Sequence, residues 1–299
     1  MIDKLECFIA LAKEQHFGKA ALEMGITQPT LSAAIKQLED QLGVMLVRRG
    51  SRFQGLTSEG QRVLEWARRI VGDVRTMREE MRTARRGLAG HIRIAAIPTA
   101  LAMVPALTTP FREKHPEVTF SVVFRTSLQV LSLLENFEMA FGISYRENAP
   151  LGRVVSVPFY SERYQLITAA GSPLADREQV TWKEVAELPL CLLTSDMQNR
   201  RIINQHLEEA GVHVKPTLES DSMMLLFSHI RTGKWASIMP LNFKDVLGLT
   251  EPIRSIPIVE PDANHLVGVV ALEREPHTPL VAAFLYETEL AARRLQQAR

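Results

Sequence analysis

Residues 16–42 read HFGKAALEMGITQPTLSAAIKQLEDQL, and this stretch decides the fold of the N-terminal part of the chain. A short helical pattern over Gly18–Met24 is followed by Gly25, a residue typical of helix C-termini. Thr27 is a good N-cap, and Pro29 stands in the first turn of the next helix, where its missing N–H costs little. The stretch therefore predicts two helices joined by a short turn, and residues 2–15 predict an amphipathic helix before them.

The second helix of this pair has one apolar and one polar face. The apolar stripe consists of Leu31, Ile35, Leu38 and Leu42. The outward face near its N-terminus carries Gln28, Thr30, Ser32, Ala33 and Lys36. Short polar side chains and one lysine, without bulky apolar groups, can approach base edges in a DNA groove. A plain three-helix bundle with a solvated face is the alternative, and the pattern alone leaves it open.

A basic segment follows the helix pair. Residues 46–60 read LVRRGSRFQGLTSEG, in which two glycines bracket a short β-prone piece. A hairpin wing beside a helix-turn-helix would hold phosphates and fix the register on the duplex. The candidate DNA-binding residues are therefore Thr27, Gln28, Pro29, Thr30, Ser32, Ala33, Lys36, Arg48, Arg49 and Arg52.

A long helix is predicted from Thr57-Ser58 to about Arg86, with a start that resembles a capping box. Its apolar seam consists of Val63, Trp66, Ile70, Val74, Met77 and Met81. Such a seam needs a partner, which is either its own domain or a second copy of the chain. A second copy is favoured because residues 1–60 already close a small core. Residues 87–90, GLAG, form a hinge-like linker.

The charge and composition set further bounds. Net charge is +1, yet residues 1–90 carry 15 Lys and Arg against 11 Asp and Glu, and this asymmetry indicates nucleic acid as a partner. Apolar runs are too short for a membrane helix, and the start MIDKLE is unlike a signal peptide, so we expect a cytoplasmic protein. Cys7 and Cys191 lack metal-ligand spacing, and Cys191 lies in the apolar run LPLCLL, which predicts a buried thiol.

The C-terminal part alternates strands and helices. Strands are predicted over His91–Ile97, Val118–Phe124 and Phe137–Ile143, with helices over Leu101–Lys114 and Leu128–Leu134 between them. The order βαβαβ predicts a parallel sheet covered by helices. A second set of strands and helices begins near Tyr164, and the chain closes with a strand over Val267–Leu272 and a helix over Thr278–Gln297.

Hydroxyl-bearing segments stand where several strands end and helices begin. Carboxyl ends of strands in open α/β sheets are where ligands bind, and helix N-termini attract anions. Arg125 and Arg146 could neutralise an acid, and Asp221 argues against a very highly charged anion. The candidate ligand-binding residues are Pro98, Thr99, Ala100, Arg125, Thr126, Ser127, Arg146, Thr194, Ser195, Asp221 and Ser222. For each residue singly, capping its own helix is the alternative role.

Residues 1–90 resemble the DNA-binding module of LysR-type transcriptional regulators. The matching segments are FIALAKEQHFGKAA, GITQPTLSAAIKQLEDQLGVMLVRR and LTSEGQRVL. Two positions depart from the family pattern: Ala33 replaces a residue that is often basic or polar, and Val47-Arg48-Arg49 replaces a commoner aromatic-Arg pair. HFGKAALEMGITQPTLSAAIKQLEDQLGV and RRGSRFQG are also similar to family members found beside formate dehydrogenase genes.

The resemblance extends over the whole chain and implies a multidomain α and α/β architecture. It implies a winged helix-turn-helix (1–58), a linker and dimerisation helix (59–90), and a periplasmic-binding-protein-like effector domain (91–299). In that domain, subdomain I would hold 91–162 and 267–299 and subdomain II 163–266, with chain crossings near Glu162 and Leu266 as a hinge. The implied partners are promoter DNA, a small effector between the subdomains, further copies of the chain in a dimer of dimers, and RNA polymerase.

An α/β cleft alone would also suit an enzyme or a transport-type binding protein. The sequence has no glycine-rich phosphate loop, no GxSxG nucleophile elbow, no HExxH and no convincing metal cluster. We therefore expect no enzyme activity, no cofactor and no metal. A secreted binding protein would lack residues 1–90 and carry a signal sequence, and an architectural DNA binder would not need the cleft. The expected function is DNA binding and bending modulated by a small metabolite, with an anion favoured.

Overall fold

The computed structural model describes residues 1–48, 53–146, 154–241, 253–274 and 276–297. The chain divides into two compact units, residues 1–87 and 88–299, and each is described by itself. In the described residues, no helix is both long and apolar enough to cross a membrane. Cys7 and Cys191 are both buried free thiols, as expected for Cys191.

The N-terminal unit is a helical bundle with a short β-bridge. Its helices are α1 (Ile2–Glu14), α2 (Phe17–Glu23), α3 (Gln28–Leu42) and α4 (Ser58–Arg86). An antiparallel bridge joins Val47 to Leu56. Side chains from all four helices share one core, whose members include Phe8, Leu11, Ala20, Leu31, Ile35, Leu38, Leu64, Ala67 and Val71. The helical period of these apolar residues explains why each helix buries one face and leaves the other exposed.

Local hydrogen bonds fix where the helices of this unit begin and end. The Nδ1 atom of His16 accepts from the amides of Gly18 and Lys19 and so caps α2. The Thr27 hydroxyl accepts from the Thr30 amide and caps α3, as predicted. Gly25 and Gly43 take φ values of +67° and +68° just after α2 and α3, a conformation that favours glycine.

Two sequence-based expectations for this unit are wrong in detail. Leu42, the last residue of the predicted apolar stripe, is not buried with the other three: it is 40% exposed because α3 ends there and the chain turns away at Gly43. The expected capping box of α4 is incomplete. The Thr57 hydroxyl accepts from the amide of Gly60 at 2.8 Å, but Gly60 has no side chain to return the bond.

The C-terminal unit is built on a mixed sheet. Its strands are β1 (Gly90–Ala96), β2 (Val118–Phe124), β3 (Phe141–Tyr145), β4 (Val154–Ala169), β5 (Val180–Thr181), β6 (Cys191–Leu193), β7 (Leu218–Ser220), β8 (Ser237–Pro240), β9 (Ile253–Val259) and β10 (Asn264–Leu272). The main sheet has the order β2-β1-β3-β10-β4-β9-β5, with β8 paired to β4, and β6 pairs with β7. Strands β1, β2 and β3 are parallel, as the βαβαβ order predicted.

Helices flank these strands. A 3₁₀ helix spans Pro98–Met103, and the α-helices are α5 (Pro105–Lys114), α6 (Ser127–Glu135), α7 (Trp182–Val185), α8 (Gln198–Glu209), α9 (Met223–Ile230) and α10 (Pro279–Gln297). The predicted helix over Leu101–Lys114 is therefore two elements, because Pro105 starts a new helix. The strand predicted from Phe137 begins only at Phe141, because Phe137 takes a φ of +57° in the turn that ends α6.

Strands β4 and β10 are antiparallel to each other and connect the two sets of elements. Strand β4 pairs with β10 from Val154 to Arg163 and then with β8 and β9 from Tyr164 to Ala169. Glu162 therefore lies where β4 passes from one set of strands to the other. The side chain of Glu162 is completely buried, which is unusual for a carboxyl group.

Candidate DNA-binding surface and ligand cleft

The polar face of α3 is exposed along its N-terminal half. Thr27, at the N-cap, and the helical residues Gln28, Pro29, Thr30, Ser32, Ala33 and Lys36 are all exposed. Leu31, Ile35 and Leu38 anchor the opposite face in the core. The hydroxyls of Thr27 and Thr30 lie 2.8 Å apart and bind each other, which fixes their orientation at the helix start. The face presents small polar groups on a rigid helix, which suits contact with base edges.

The segment after α3 is held close to the end of that helix. One Glu39 carboxylate oxygen accepts from the amides of Leu46 and Val47 at 2.7 and 3.1 Å. Arg48 is exposed, and its amide bonds the Gly55 carbonyl beside the Val47–Leu56 bridge. The predicted wing contacts of Arg49 and Arg52 lie outside the described residues. The geometry places Arg48 on a short antiparallel ladder beside the helix bundle.

The predicted seam of α4 is mostly exposed within one chain. Trp66 is 62% and Met81 61% exposed, whereas Leu64, Ala67 and Val71 of the same helix are buried in the core. Ile70 and Met77 are also exposed, and Val63 and Val74 are half-buried. Helix α4 therefore has one apolar face that fills the bundle and a second apolar face that does not.

A cleft of about 680 Å³ opens in the C-terminal unit at the ends of β2, β6 and β7. Its lining residues are Phe124, Arg125, Thr126, Gln129, Thr194, Asp196, Met197, Glu219, Ser220 and Asp221. Four of the predicted ligand-binding residues line it: Arg125, Thr126, Thr194 and Asp221. Its volume is typical of small-molecule sites.

The cleft residues have structural contacts as well. Thr126 and Gln129 form a complete capping box at the start of α6, so Thr126 fulfils its alternative role of helix cap. Arg125 is half-buried and donates to the Phe124 carbonyl at 2.7 Å. The Thr194 amide donates to the Ser220 carbonyl across the β6–β7 pair. The Thr194 hydroxyl is buried without a hydrogen-bond partner in the described residues.

The remaining predicted ligand-binding residues do not line this cleft. Pro98, Thr99 and Ala100 are buried in the 3₁₀ helix, where the Thr99 hydroxyl lies 3.5 Å from that of Tyr145. Ser127 is buried, whereas Arg146 and Ser195 are exposed. Ser222 caps α9 by accepting from the Leu225 amide, which is its alternative role.

The acidic character of the cleft was not predicted from the sequence. Asp196 and Glu219 join Asp221 in its lining, and Arg125 is the cation among the lining residues. The buried guanidinium of Arg200 compensates partly, since it bonds Glu219 at 2.6 Å and the Leu193 carbonyl at 2.8 Å. Asp196 lies three residues beyond the end of β6 and Glu219 lies within β7, and these acidic positions were the available signal. The balance of charge suits a ligand with little net negative charge.

No candidate metal site is found in the parts of the chain that the structure describes. They contain no group of three or more His, Cys, Asp and Glu side chains that could hold a metal ion. Burial raises the pKa of the Cys191 thiol to about 11, which keeps it protonated.

Two family models match the chain. One, described as bacterial regulatory helix-turn-helix protein, lysR family, matches residues 2–61, and the LysR substrate binding domain matches residues 85–289. Among similar curated proteins is the HTH-type transcriptional regulator TtuA of Agrobacterium vitis, 29% identical over 80% of each chain. Another is the DNA-binding transcriptional dual regulator OxyR of Escherichia coli, 26% identical over 93% of this chain and 90% of that one.

Solved structures show the same fold. A full-length OxyR variant from Pseudomonas aeruginosa superposes with a TM-score of 0.78 at 22% identity, covering 98% of this chain and 96% of the other. Full-length CbnR in complex with its target DNA gives a TM-score of 0.65 at 21% identity, covering 98% and 100%. At these identities the likeness concerns the fold.

Proposed function

Since this chain belongs to the LysR family of bacterial transcriptional regulators, we propose that α3 reads operator DNA and that a small, weakly anionic metabolite in the cleft modulates DNA binding and bending. The protein is a transcriptional regulator with a helix-turn-helix and an effector-binding domain, and not an enzyme. We assign particular residues to DNA recognition and to effector binding. The similarity to regulators beside formate dehydrogenase genes stays a prediction.

The proposal that α3 recognises DNA rests on the exposed polar face of this helix. Gln28, Thr30, Ser32 and Lys36 are exposed on one helix whose opposite face is locked in the core. Amides, hydroxyls and ammonium groups are the donors and acceptors used to recognise base edges and phosphates. Thr27, Pro29 and Ala33 shape the approach of the helix start, and the wing arginines, including Arg48, would neutralise phosphate charge.

The proposal that a small effector binds in the cleft rests on the charges of its lining. Arg125 provides one positive charge, and the start of α6 lies beside it, where amide groups and the helix dipole favour an anion. Asp196, Glu219 and Asp221 limit how much negative charge a ligand can carry. A small monocarboxylate satisfies both conditions. Ligand closure of subdomains I and II would then be coupled to DNA binding, typically by about 1–3 kcal/mol.

The exposed seam of α4 supports self-association. Trp66, Ile70, Met77 and Met81 form an apolar face that a second copy would cover, and pairing two DNA-binding units would fix the spacing of two half-sites. We propose the division 1–58, 59–90 and 91–299 for the DNA-binding, linker and effector-binding parts, a dimer of dimers as the assembly, and RNA polymerase as a further partner at the promoter.

A gel-shift titration on the DNA upstream of the protein's own gene tests the role of α3. We expect Lys36→Ala to weaken binding about threefold and to reduce the slope of log affinity against log salt by about 0.9, if its ammonium contacts one phosphate. Lys215→Ala removes the same charge from an exposed site in the C-terminal unit and is the matched control. Unchanged affinity and slope in Lys36→Ala would remove this residue from the interface.

The same titration, repeated with small monocarboxylates starting with formate, tests the cleft. A ligand that binds there should change the DNA affinity or the bend of the wild-type complex. Arg125→Gln should shift that response to about tenfold higher ligand concentration without affecting ligand-free DNA binding. If a monocarboxylate acts equally on Arg125→Gln, the ligand binds elsewhere.

A further inference from the structure

A buried polar cluster surrounds Glu162 at the point where β4 crosses between the two sets of strands. One carboxyl oxygen of Glu162 accepts from the Tyr145 hydroxyl at 2.5 Å, and the other accepts from the Tyr160 hydroxyl at 3.1 Å. All three side chains are buried. The cleft does not include this cluster. Its polar groups therefore need a role other than direct contact with a cleft ligand.

The cluster links elements that precede and follow the crossing. Tyr145 ends β3, and its hydroxyl also lies 3.5 Å from that of Thr99 in the 3₁₀ helix. Asn199, in the first turn of α8, directs its amide nitrogen at the hydroxyls of Tyr145 and Tyr164, at 3.4 and 3.5 Å. The Tyr145–Asn199 contact is thus a direct polar bond between predicted subdomains I and II. Separating the subdomains would break it and admit water to Glu162.

The surroundings of Glu162 disfavour a negative charge. Among the described residues it has no ion pair, and the groups that donate to it are neutral hydroxyls. Burial raises the pKa of Glu162 to about 7, although the hydroxyl donors of Tyr145, Thr99 and Tyr160 oppose the rise. The pKa values of Tyr145 and Tyr160 are raised well above their ordinary range, chiefly by burial, so both stay protonated.

We infer that Glu162 takes up a proton when the two subdomains pack together, and that this proton stabilises the packed arrangement. With the proton on Glu162, the carboxyl group donates to the Tyr145 oxygen, and the Tyr145 hydroxyl turns towards Thr99. The Tyr160 hydroxyl continues to donate to the other oxygen. Glu162, Tyr145 and Tyr160 then keep their hydrogen bonds to one another without a buried charge. The inference goes beyond the proposed function, because it requires neither DNA nor an effector.

The direction of the pH dependence follows from the two states. In the separated arrangement Glu162 meets water, and its pKa falls towards the ordinary value of 4.5 for a glutamic acid side chain. The proton therefore stabilises the packed state fully below about pH 4.5, and the stabilisation is lost as the pH rises to about 7. Between these limits the ratio of packed to separated molecules should fall by up to about tenfold per pH unit, and above pH 7 it should level off.

Other titratable and charged groups lie near the cluster. His265 of β10 lies with its ring centre 6.4 Å from that of Tyr145 and 6.1 Å from that of Tyr164. Its Nε2 is 2.9 Å from that of His206 on α8, which in turn contacts Glu209. One imidazole must donate its ring N–H to the other. On the exposed side of β4, Arg163 pairs with Asp262 at 3.7 Å.

Difference infrared spectroscopy of the full-length protein, without DNA or effector, tests the protonation directly. We expect the carbonyl band of a protonated carboxylic acid to titrate near pH 7 in the wild type and to be absent from Glu162→Gln. Glu113→Gln, at an exposed position on α5, should keep the band and is the matched control. Tyr160→Phe removes one hydroxyl that lowers the pKa, so the midpoint should move to higher pH. If the wild-type band is absent at pH 6 or unchanged in Glu162→Gln, the inference is wrong.

Hydrogen exchange tests the link to packing. Peptides covering 98–103 and 198–204 report the two sides of the Tyr145–Asn199 contact. From pH 5.5 to 7, wild-type protection should fall relative to Glu162→Gln by up to about tenfold per pH unit, because the neutral amide keeps its bonds at every pH. Comparing the two proteins at the same pH cancels the chemical exchange rate. Parallel protection profiles in a correctly folded Glu162→Gln would overturn the coupling of the proton to packing.

Discussion

The outward face of α3 is supplied by consecutive residues from Gln28 to Lys36, whereas the cleft is lined by residues that extend from Phe124 to Asp221. On α3, one helix places every exposed side chain, so each substitution there changes one contact and leaves its neighbours in place. The cleft is assembled from the ends of β2, β6 and β7 and the starts of two helices. Its geometry therefore depends on the strand register of the whole unit.

The two regions also treat charge differently. The α3 face is open to solvent, so Lys36 stays fully hydrated until a partner arrives. In the C-terminal unit, Arg200 and Glu162 are buried and bonded to specific neighbours, and one partner of Arg200 is the cleft residue Glu219. The position of the DNA-binding face therefore depends on the core packing beneath α3. Ligand binding in the cleft depends instead on the balance of positive and negative charges. Substitutions at these two kinds of position should fail in different ways.

The largest effect on stability is expected at Gly60, where α4 packs against the segment that follows α3. A Cβ atom on Gly60 would lie 2.1 Å from the Leu46 carbonyl oxygen, which is backbone and cannot move away freely. We expect Gly60→Ala to lower the free energy of unfolding by about 3 kcal/mol, because α4 must shift from the segment that follows α3. Thermal unfolding of the full-length protein, with separate detection of DNA binding, measures this.

Gly171→Ala is the matched control for this substitution. A Cβ at Gly171 would meet no atom within 4 Å, so its unfolding curve should stay close to that of the wild type. If Gly60→Ala is as stable as Gly171→Ala, the packing of α4 on the Leu46 segment is looser than the structure shows. The contact between α4 and the Leu46 segment would then not be what holds the α3 face in place.

An intermediate effect is expected from the charge balance of the cleft. Arg125→Gln should weaken binding of a small monocarboxylate about tenfold, since it removes a charge-assisted hydrogen bond. Asp221→Asn should strengthen the same binding by about two- to threefold, because repulsion across an exposed site is partly screened. Isothermal titration with formate and acetate measures both. Equal effects of the same sign would show that the two variants act through the fold and not through charge.

The sequence predicts local features well and dispersed ones less well. Thr27, Pro29 and Gly25 determine the start and end of neighbouring helices within a few residues, so α2 and α3 could be located from the chain alone. Phe137 shows the limit: its apolar character suggested a strand, but tertiary packing of α6 places it in a turn with positive φ.

The ligand cleft illustrates the same limit at longer range. Arg125, Thr126, Thr194 and Asp221 were predicted because each follows or precedes a strand end, and the structure brings them together. Glu219 and the buried Arg200 were missed because their pairing joins residues 19 positions apart through the β6–β7 register. Glu162 was noted as a chain crossing, but the hydroxyl groups around it come from β3 and β4 together. Such contacts depend on the register of strands, which short-range patterns do not specify.

The smallest effects compare equivalent helix caps in the two regions. Thr27→Ala removes a single hydroxyl that accepts from the Thr30 amide at 3.4 Å on the exposed α3 start. Thr126→Ala removes one half of a complete, part-buried capping box at the start of α6. We expect the free energy of unfolding to fall by about 0.5 kcal/mol for the first and about 1–2 kcal/mol for the second, since the second substitution breaks a reciprocal pair of bonds at a less exposed position. Serine variants at both positions keep a hydroxyl and should recover most of the loss in urea unfolding. A larger loss at Thr27 than at Thr126 would contradict this expectation. It would mean that the start of α3 depends more on its own cap than on the core beneath it.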